Sequence, residues 1–431
     1  MSSLWCWGYN DYGALGDNTT NAKSSPVQTV ALSTDWSVVH AGYLSAIALR
    51  DDGTLWTWGR GDNGNLGDLQ TNHRSSPVMI ANGKTWKSIS GSTIYYGCSG
   101  AIDNNDHIFV WGYNYNGQLG LGDDGENANR SSPVQMGNKT WIQISSSPNS
   151  MGAIDTDGKL WMWGRNYDGE LGLNNDTVNY SSPVQVGSDT NWVRIACGYR
   201  YAMAIKNDGT LWGWGRGEYG KTGMGDESNR SSPVQVGNDT NWAEITTSVY
   251  HSAAIKEDGS LWIWGRNDNG QLGQNDGTYR SSPVQISGTW THVSCGGSHT
   301  AAIKKGLLFC WGENYWGNIG NGDGNGDGFT NYSSPIQTLM NFNGWAYVSA
   351  GPSYTMGLSD YVKPDYSKSC SEQECNVPAF KCYVGSTSSC TCAKSKFYTA
   401  QCSRIQQSLG ICSGTSGAYV PAITVCNQKL L

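Results

Sequence analysis

Leu261-Trp262-Ile263-Trp264-Gly265 alternates two aliphatic and two indole side chains before a glycine. Successive side chains of an extended strand point to opposite faces, so both indoles share one face. Leu261 and Ile263 share the other, and a strand apolar on both faces belongs between neighbouring sheets. The same pattern stands at Leu4–Gly8, Leu55–Gly59, Leu160–Gly164 and Leu211–Gly215, with variants at Ile108–Gly112 and Leu308–Gly312. Their closing glycines are 51, 53, 52, 51, 50 and 47 residues apart. Ser-Ser-Pro also occurs seven times, with prolines at 26, 77, 133, 183, 233, 283 and 335. A third marker, a tryptophan opening a short apolar run, recurs at positions 36, 86, 141, 192, 242, 290 and 345. Three markers in fixed order define a chain that grows by adding units.

Each unit reads as four short strands, the content of one propeller blade. In the fifth unit the expected strands are Pro233–Val236, Trp242–Thr246, His251–Lys256 and Ser260–Trp264. Asp258-Gly259 is a hairpin turn signal between the last two. From a repeat tryptophan to the next Trp-Gly glycine is 23 residues in four of six internal cases. Trp345 finds no such glycine before Asp360, and joining Asp360 to Met1 restores the spacing of 23. Leu4–Gly8 is therefore expected as the missing strand of the last blade, a closure that removes an exposed sheet edge. The expectation is an all-β fold. A seven-bladed β-propeller with N-terminal strand velcro closure spans residues 1–360, and a small disulfide-rich C-terminal domain spans 361–431.

Composition fits this reading. The chain of 431 residues holds 57 glycines, 20 tryptophans and 23 tyrosines, with only 15% charged residues. Disordered chains lack such aromatics, and helical domains avoid so much glycine. No apolar run reaches the ~18 residues of a membrane span. The start, MSSLWCWGYN, has neither the basic opening nor the apolar core of a signal peptide. A formal charge of −7 leaves no electrostatic footprint for nucleic acid.

These repeats resemble the regulator of chromosome condensation repeat family over residues 1–360. The resemblance implies a seven-bladed propeller and leaves function open. That family holds nuclear guanine-nucleotide exchange factors, a plant ultraviolet receptor, a secreted β-lactamase inhibitor and many uncharacterised proteins. A shared fold alone does not transfer a function.

Past Asp360 the character of the chain changes. Residues 361–431 carry eight of the thirteen cysteines: Cys370, Cys375, Cys382, Cys390, Cys392, Cys402, Cys412 and Cys426. They hold seven basic and three acidic residues, net +4, against −11 for residues 1–360. So many cysteines in so small a unit read as a disulfide framework. Zinc is the competing reading, but the tail has no Cys-x-x-Cys pair and no histidine. Disulfides imply an oxidising location, so an extracellular or virion-surface setting is expected. The five remaining cysteines, 6, 98, 197, 295 and 310, read as buried thiols.

Little in the sequence carries chemistry. The six histidines form no metal-binding pair, and there is no nucleophile elbow or phosphate loop. The chain is expected not to be an enzyme and to carry no cofactor beyond calcium. The loop Asn321-Gly-Asp323-Gly-Asn325-Gly-Asp327 matches the first half of an EF-hand loop from Asp323. Ser334 stands where the chelating glutamate would be, so the loop is either a site built on Asp323, Asn325 and Asp327 or a polar insertion. Asp123-Asp124-Gly125-Glu126 is a weaker version.

A binding face is the better candidate. The residue after each Trp-Gly is Tyr9, Arg60, Tyr113, Arg165, Arg216, Arg266 or Glu313. Sevenfold repetition should array these on one rim with Tyr12, Tyr115, Tyr167, Tyr219, Tyr315 and Trp316. Tyrosine, arginine and tryptophan are common interface anchors. The arginines are also expected to pair with carboxylates of neighbouring blades. Eight Asn-x-Ser/Thr sequons, at 18, 129, 138, 175, 179, 229, 238 and 331, mark a surface rich in Asn, Ser and Thr.

The leading expectation is a non-enzymatic extracellular or virion structural protein. Its propeller is a rigid interaction scaffold, its tail a docking or adhesion module, and its partner a protein or surface glycan within a larger assembly. The alternatives are an intracellular guanine-nucleotide exchange factor-like regulator and a propeller-type protein inhibitor.

Overall fold

A computed structural model describes residues 2–360, apart from 32, 81–82, 93–96, 126, 325–329 and 341–342, and two short tail strands. Those strands, Cys382–Val384 and Cys390–Cys392, pair antiparallel. The rest of the expected disulfide-rich domain lies outside the described residues.

Residues 2–360 form seven four-stranded antiparallel sheets. We number the blades by the repeat tryptophan that opens them, from Trp36 in blade 1 to Trp345 in blade 7. Blade 5 shows the order: Trp242–Thr247, His251–Lys256, Ser260–Gly265 and Arg280–Thr289. The first strand of each blade touches the first strand of the next, and Trp345–Ala350 touches Trp36–Ala41 to complete the circuit. These strands are therefore innermost. Among the described residues the only helical elements are single 3-10 turns at Asp62–Gly64 and Glu218–Gly220. No helix among the described residues is long and apolar enough to cross a membrane.

The blade boundaries correct the sequence reading by one strand. Pro233–Val236 was expected to open the fifth unit, but Arg230–Gln235 pairs with Leu211–Gly215 and closes blade 4. The loop after Trp-Gly returns the chain antiparallel onto the strand it has just left. Only then does a short connector cross to the next blade. The closing blade consequently takes two strands from the N-terminus, in the order Lys23–Gln28, Ser3–Gly8, Tyr354–Ser359, Trp345–Ala350. Ser3–Gly8 pairs with Tyr354–Ser359 in continuous register from Ser3↔Ser359 to Gly8↔Tyr354. The expected N-terminal closure is present and is one strand larger.

All three markers act between blades. Trp264 clusters with Tyr201, Met203 and Leu211 of blade 4. Leu261 and Ile263 of the same strand cluster with Val293, Cys295 and Trp311 of blade 6. One strand therefore feeds two interfaces, as its alternation requires. The indole N–H of the second tryptophan crosses to a backbone carbonyl of the preceding blade in all seven copies, at 2.8–3.0 Å. Each indole also lies against a loop glycine. At Gly120, φ +68°, a Cβ would stand 2.7 Å from the Trp163 nitrogen. The first serine of each Ser-Ser-Pro accepts a backbone N–H from the preceding blade's loop, as Asn174 does to Ser231 at 2.7 Å.

The innermost strands add a girdle. Backbone N–H groups of Ala41, Ser146, Cys197, Cys295 and Ala350 donate to hydroxyls of Ser349, Ser90, Ser145, Thr246 and Ser294 on the preceding blade. The five propeller cysteines are buried free thiols, as expected. His251 and His299 are buried too, each bonded at 2.8 Å to a threonine of the next blade, Thr300 and Thr355.

Candidate functional site

The residue after each Trp-Gly sits where the loop leaves the third strand. Its backbone N–H donates to the turn joining the first and second strands of the same blade. All seven copies do this: Tyr9 to Ser353, Arg60 to Leu44, Tyr113 to Gly97, Arg165 to Asn149, Arg216 to Arg200, Arg266 to Tyr250 and Glu313 to Ser298. The repeat thus brings the rim candidates together on one face and ties their backbones to its inner turns. Beneath them, a buried asparagine at positions 10, 114, 166, 267 and 314 accepts the N–H five residues on, at 2.8–3.1 Å. That bond fixes the curl of the loop.

Aromatic groups pack across this face. Tyr9 of blade 7 meets Trp316 of blade 6 edge-to-face at 4.7 Å, and Trp316 meets Tyr315 at 4.7 Å. Tyr113 stacks on Tyr115, and Tyr219 meets Tyr250 and Tyr279. Tyr115 and Tyr167 are about half exposed, at 51% and 57%. The arginines lie over these rings: Arg60 over Tyr12, Arg165 over Tyr167 and Arg266 over Tyr219 and Tyr250.

The expected arginine partners need correcting. Arg60, Arg165, Arg216 and Arg266 bond carboxylates of their own loops, Asp62, Asp168 with Glu170, Glu218 and Asp268. In three of the four the nearest acid is two residues on, inside the same turn, and reaches the guanidinium before any neighbouring blade can. Among the described residues Arg200, not singled out from sequence, is the arginine that crosses to a neighbouring blade's carboxylate, reaching Asp168 at 3.7 Å. Its backbone is left-handed, φ 66°, a conformation that costs on the order of 1–3 kcal/mol and concentrates at functional positions.

Lys221 was missed as well. The repeat places Ala14, Asn65, Gln118, Glu170, Gln271 or Asn318 at this spot, and blade 4 alone places an amine. Burial pulls that amine down to about 7, against the pull of Glu218 in the other direction. It donates to the Tyr199 and Val249 carbonyls at 3.0 and 3.3 Å, clamping the inner turns of blades 4 and 5. A signal existed in Gly220-Lys221-Thr222-Gly223, which breaks the Gly-x-Leu-Gly pattern. Glu170 and Glu313 are pushed up by burial.

The loop matched to the first half of an EF-hand is only partly described. Asp323 accepts from the Asn321 amide at 3.0 Å and the Tyr332 hydroxyl at 2.8 Å. Asn325 and Asp327 lie outside the described residues. Asp123, in the weaker loop, pairs with Arg130 and Asn114.

Seven blades and a two-plus-two closure define a closed β-propeller, with tyrosine and arginine arrayed on one face. The RCC1-like domain pattern matches residues 96–363, and the regulator of chromosome condensation (RCC1) repeat matches 2–49 and 52–93. The chain belongs to the RCC1 repeat family. It is 30% identical over 227 residues to the ultraviolet-B receptor UVR8 of Arabidopsis thaliana, covering 51% of this chain. That stretch spans about half, 50%, of the receptor's own length. Human WBSCR16 superposes with a TM-score of 0.72 at 20% identity, covering 83% of this chain and 99% of that one. Prp20p of Saccharomyces cerevisiae, whose structure was described with its binding to Gsp1p and histones, gives 0.72 at 19% identity, covering 85% and 92%.

Proposed function

We propose that this chain is a non-enzymatic protein-binding propeller that docks a partner on the face built from the Trp-Gly loops and inner turns. One observation carries the reading. Seven equivalent backbone bonds place Tyr9, Tyr113, four arginines and Glu313 from successive blades on a single preformed surface. Anchors of these types supply most binding energy at interfaces, and preorganisation lowers the entropy lost on docking. The test is affinity capture from the native source, repeated with Tyr167→Ala, Arg200→Ala and Trp316→Ala. Lys159→Ala, in the opposite turn of blade 3, serves as control. A partner retained by all three face variants overturns the reading.

RCC1 membership favours a second reading, an exchange-factor-like regulator. Prp20p is described as binding Gsp1p, and the same face would then act on a small GTPase. Acceleration of labelled GDP release from a GTPase of that type by the full chain tests it. No acceleration at saturating propeller removes it. An extracellular or virion-surface setting is supported only by the eight tail cysteines.

A further inference from the structure

Five of the seven outer loops carry the same ion pair. The cation just before Ser-Ser-Pro meets an aspartate of its own loop: Lys23–Asp17, Arg74–Asp68, Arg130–Asp123, Arg230–Asp226 and Arg280–Asp276. Blade 6 replaces the cation with Tyr332 but keeps the acid as Asp323. Blade 3 alone has lost both charges. Tyr180 stands for the cation and Asn175 for the acid, and the amide donates to the hydroxyl at 3.3 Å. Asn175 holds the acid's place by role: it accepts from buried Asn166, as Asp123 does from Asn114 and Asp276 from Asn267.

A cavity of about 460 Å³ opens where the pair is missing, between the outer edges of blades 3 and 4. Leu173, Tyr180 and Trp212, all partly exposed, line it with the buried Trp192. Asn174, Gln185 and Asp189 supply polar groups to the same lining. A mostly apolar wall with a few polar groups is the usual make-up of a small-molecule site, and the volume falls in the usual range.

Charge narrows the ligand. A cationic ligand finds the indoles already served, because the Lys206 ammonium lies 4.7 and 4.0 Å from the Trp192 and Trp212 rings and bonds Asp189 at 2.8 Å. An anionic ligand meets the Asp189 carboxylate in the lining, and the neighbouring Lys206 ammonium is already committed to that carboxylate and to the two rings. What remains is a neutral ring with an apolar C–H face and hydroxyls at its edge. We propose that this groove binds a neutral saccharide unit, its C–H face on the Tyr180 ring and its hydroxyls on Asn174, Gln185 and Asp189.

Saturation-transfer NMR on the full chain tests this with methyl glycosides of glucose, galactose, mannose and N-acetylglucosamine. Glucosamine, glucuronate and a polyproline peptide are the comparison probes. At least one neutral glycoside should bind, with the charged sugars tenfold weaker or worse. The double variant Asn175→Asp/Tyr180→Arg rebuilds the ion pair of the other blades. It should abolish binding with an unchanged melting temperature. Asn174→Gly, which the left-handed backbone there (φ 59°) accepts, should weaken binding without touching the fold. Silence from every neutral glycoside, binding indifferent to both variants, or tighter binding of the peptide would overturn the proposal.

Discussion

The indole N–H of Trp7 donates to the carbonyl of Asn318 at 2.9 Å, joining residues 311 positions apart across the seam of the ring. The six other copies of this bond lie inside the continuous chain. Only at Trp7 does it help decide whether the ring is closed. Trp7 also meets Trp345 edge-to-face at 6.0 Å. Trp7→Phe should keep most of the ring area and lose the bond, at about 1 kcal/mol. Deleting residues 1–8 removes a strand paired on both sides and should unfold the propeller far below the melting temperature of the intact chain. Deleting residues 361–431 should leave that temperature close to its original value. Equal effects of the two deletions would rule out the closure.

Glycines can be sorted by what stands above them. Gly120→Ala adds a Cβ 2.7 Å from the Trp163 nitrogen and 2.9 Å from the Met136 sulfur, at φ +68°. Gly137→Ala carries the same backbone strain, φ +60°, but nothing lies within 4 Å. The second should cost about 1–2 kcal/mol for left-handed backbone alone. The first adds overpacking of roughly 1–3 kcal/mol. Chemical denaturation of both variants separates strain from contact, and equal losses would show that the indole does not press on the loop.

The blade count was legible because spacing survives any error in strand boundaries. Residues 261–265 announce their two-faced burial through alternation alone. The blade phase was not legible, since each Ser-Ser-Pro proline stands only 7–10 residues before the next repeat tryptophan but 18–23 after the Trp-Gly glycine whose strand it joins. Only the pairing of Gly215 with Arg230 assigns it. Arg200 and Lys221 escaped for another reason. Each is unusual at its repeat position, and its meaning depends on a carboxylate or carbonyl that folding brings near.

Acid should loosen the propeller before it protonates ordinary carboxylates. Burial lowers His251 and His299 to about 3 and His40 to about 4, from 6.5. Between pH 6.5 and those values the unfolded chain binds protons that the folded chain refuses, so stability falls as pH drops. At pH 5 each imidazole should cost on the order of 2 kcal/mol by linkage. Glu170 and Glu313, raised by burial, act oppositely and gain stability on acidification. Lys221, held down to about 7, also loses stability as pH falls toward that value, and with the three imidazoles it makes the expected net a loss. Melting temperatures at pH 7.5, 6 and 5 check this, and a flat profile would sink it.

Calcium is tested at Asp323. If Asp323, Asn325 and Asp327 hold the ion, a chelator should lower the melting temperature, and Asp323→Ala should abolish that sensitivity. Asp323→Ala also removes the carboxylate to which the Tyr332 hydroxyl donates, so the variant's own melting temperature is the reference. No response to chelator in the intact protein returns the loop to a polar insertion.

The tail decides the compartment. Four disulfides among its eight cysteines would add about eight mass units to the intact protein on full reduction, one per sulfur. Thiol labelling before reduction should tag only Cys6, Cys98, Cys197, Cys295 and Cys310, and only in denaturant, because all five are buried. Disulfides of this kind typically contribute ~2–4 kcal/mol each, more than a core drawn from about seventy residues readily replaces. The reduced tail should therefore become protease-sensitive. Residues 1–360 should stay resistant, since the seam is held by Trp7, Asn318 and the register from Ser3 to Gly8. Eight free tail thiols in freshly isolated protein, or stoichiometric zinc, would remove the oxidising compartment. The exchange-factor reading would then stand first.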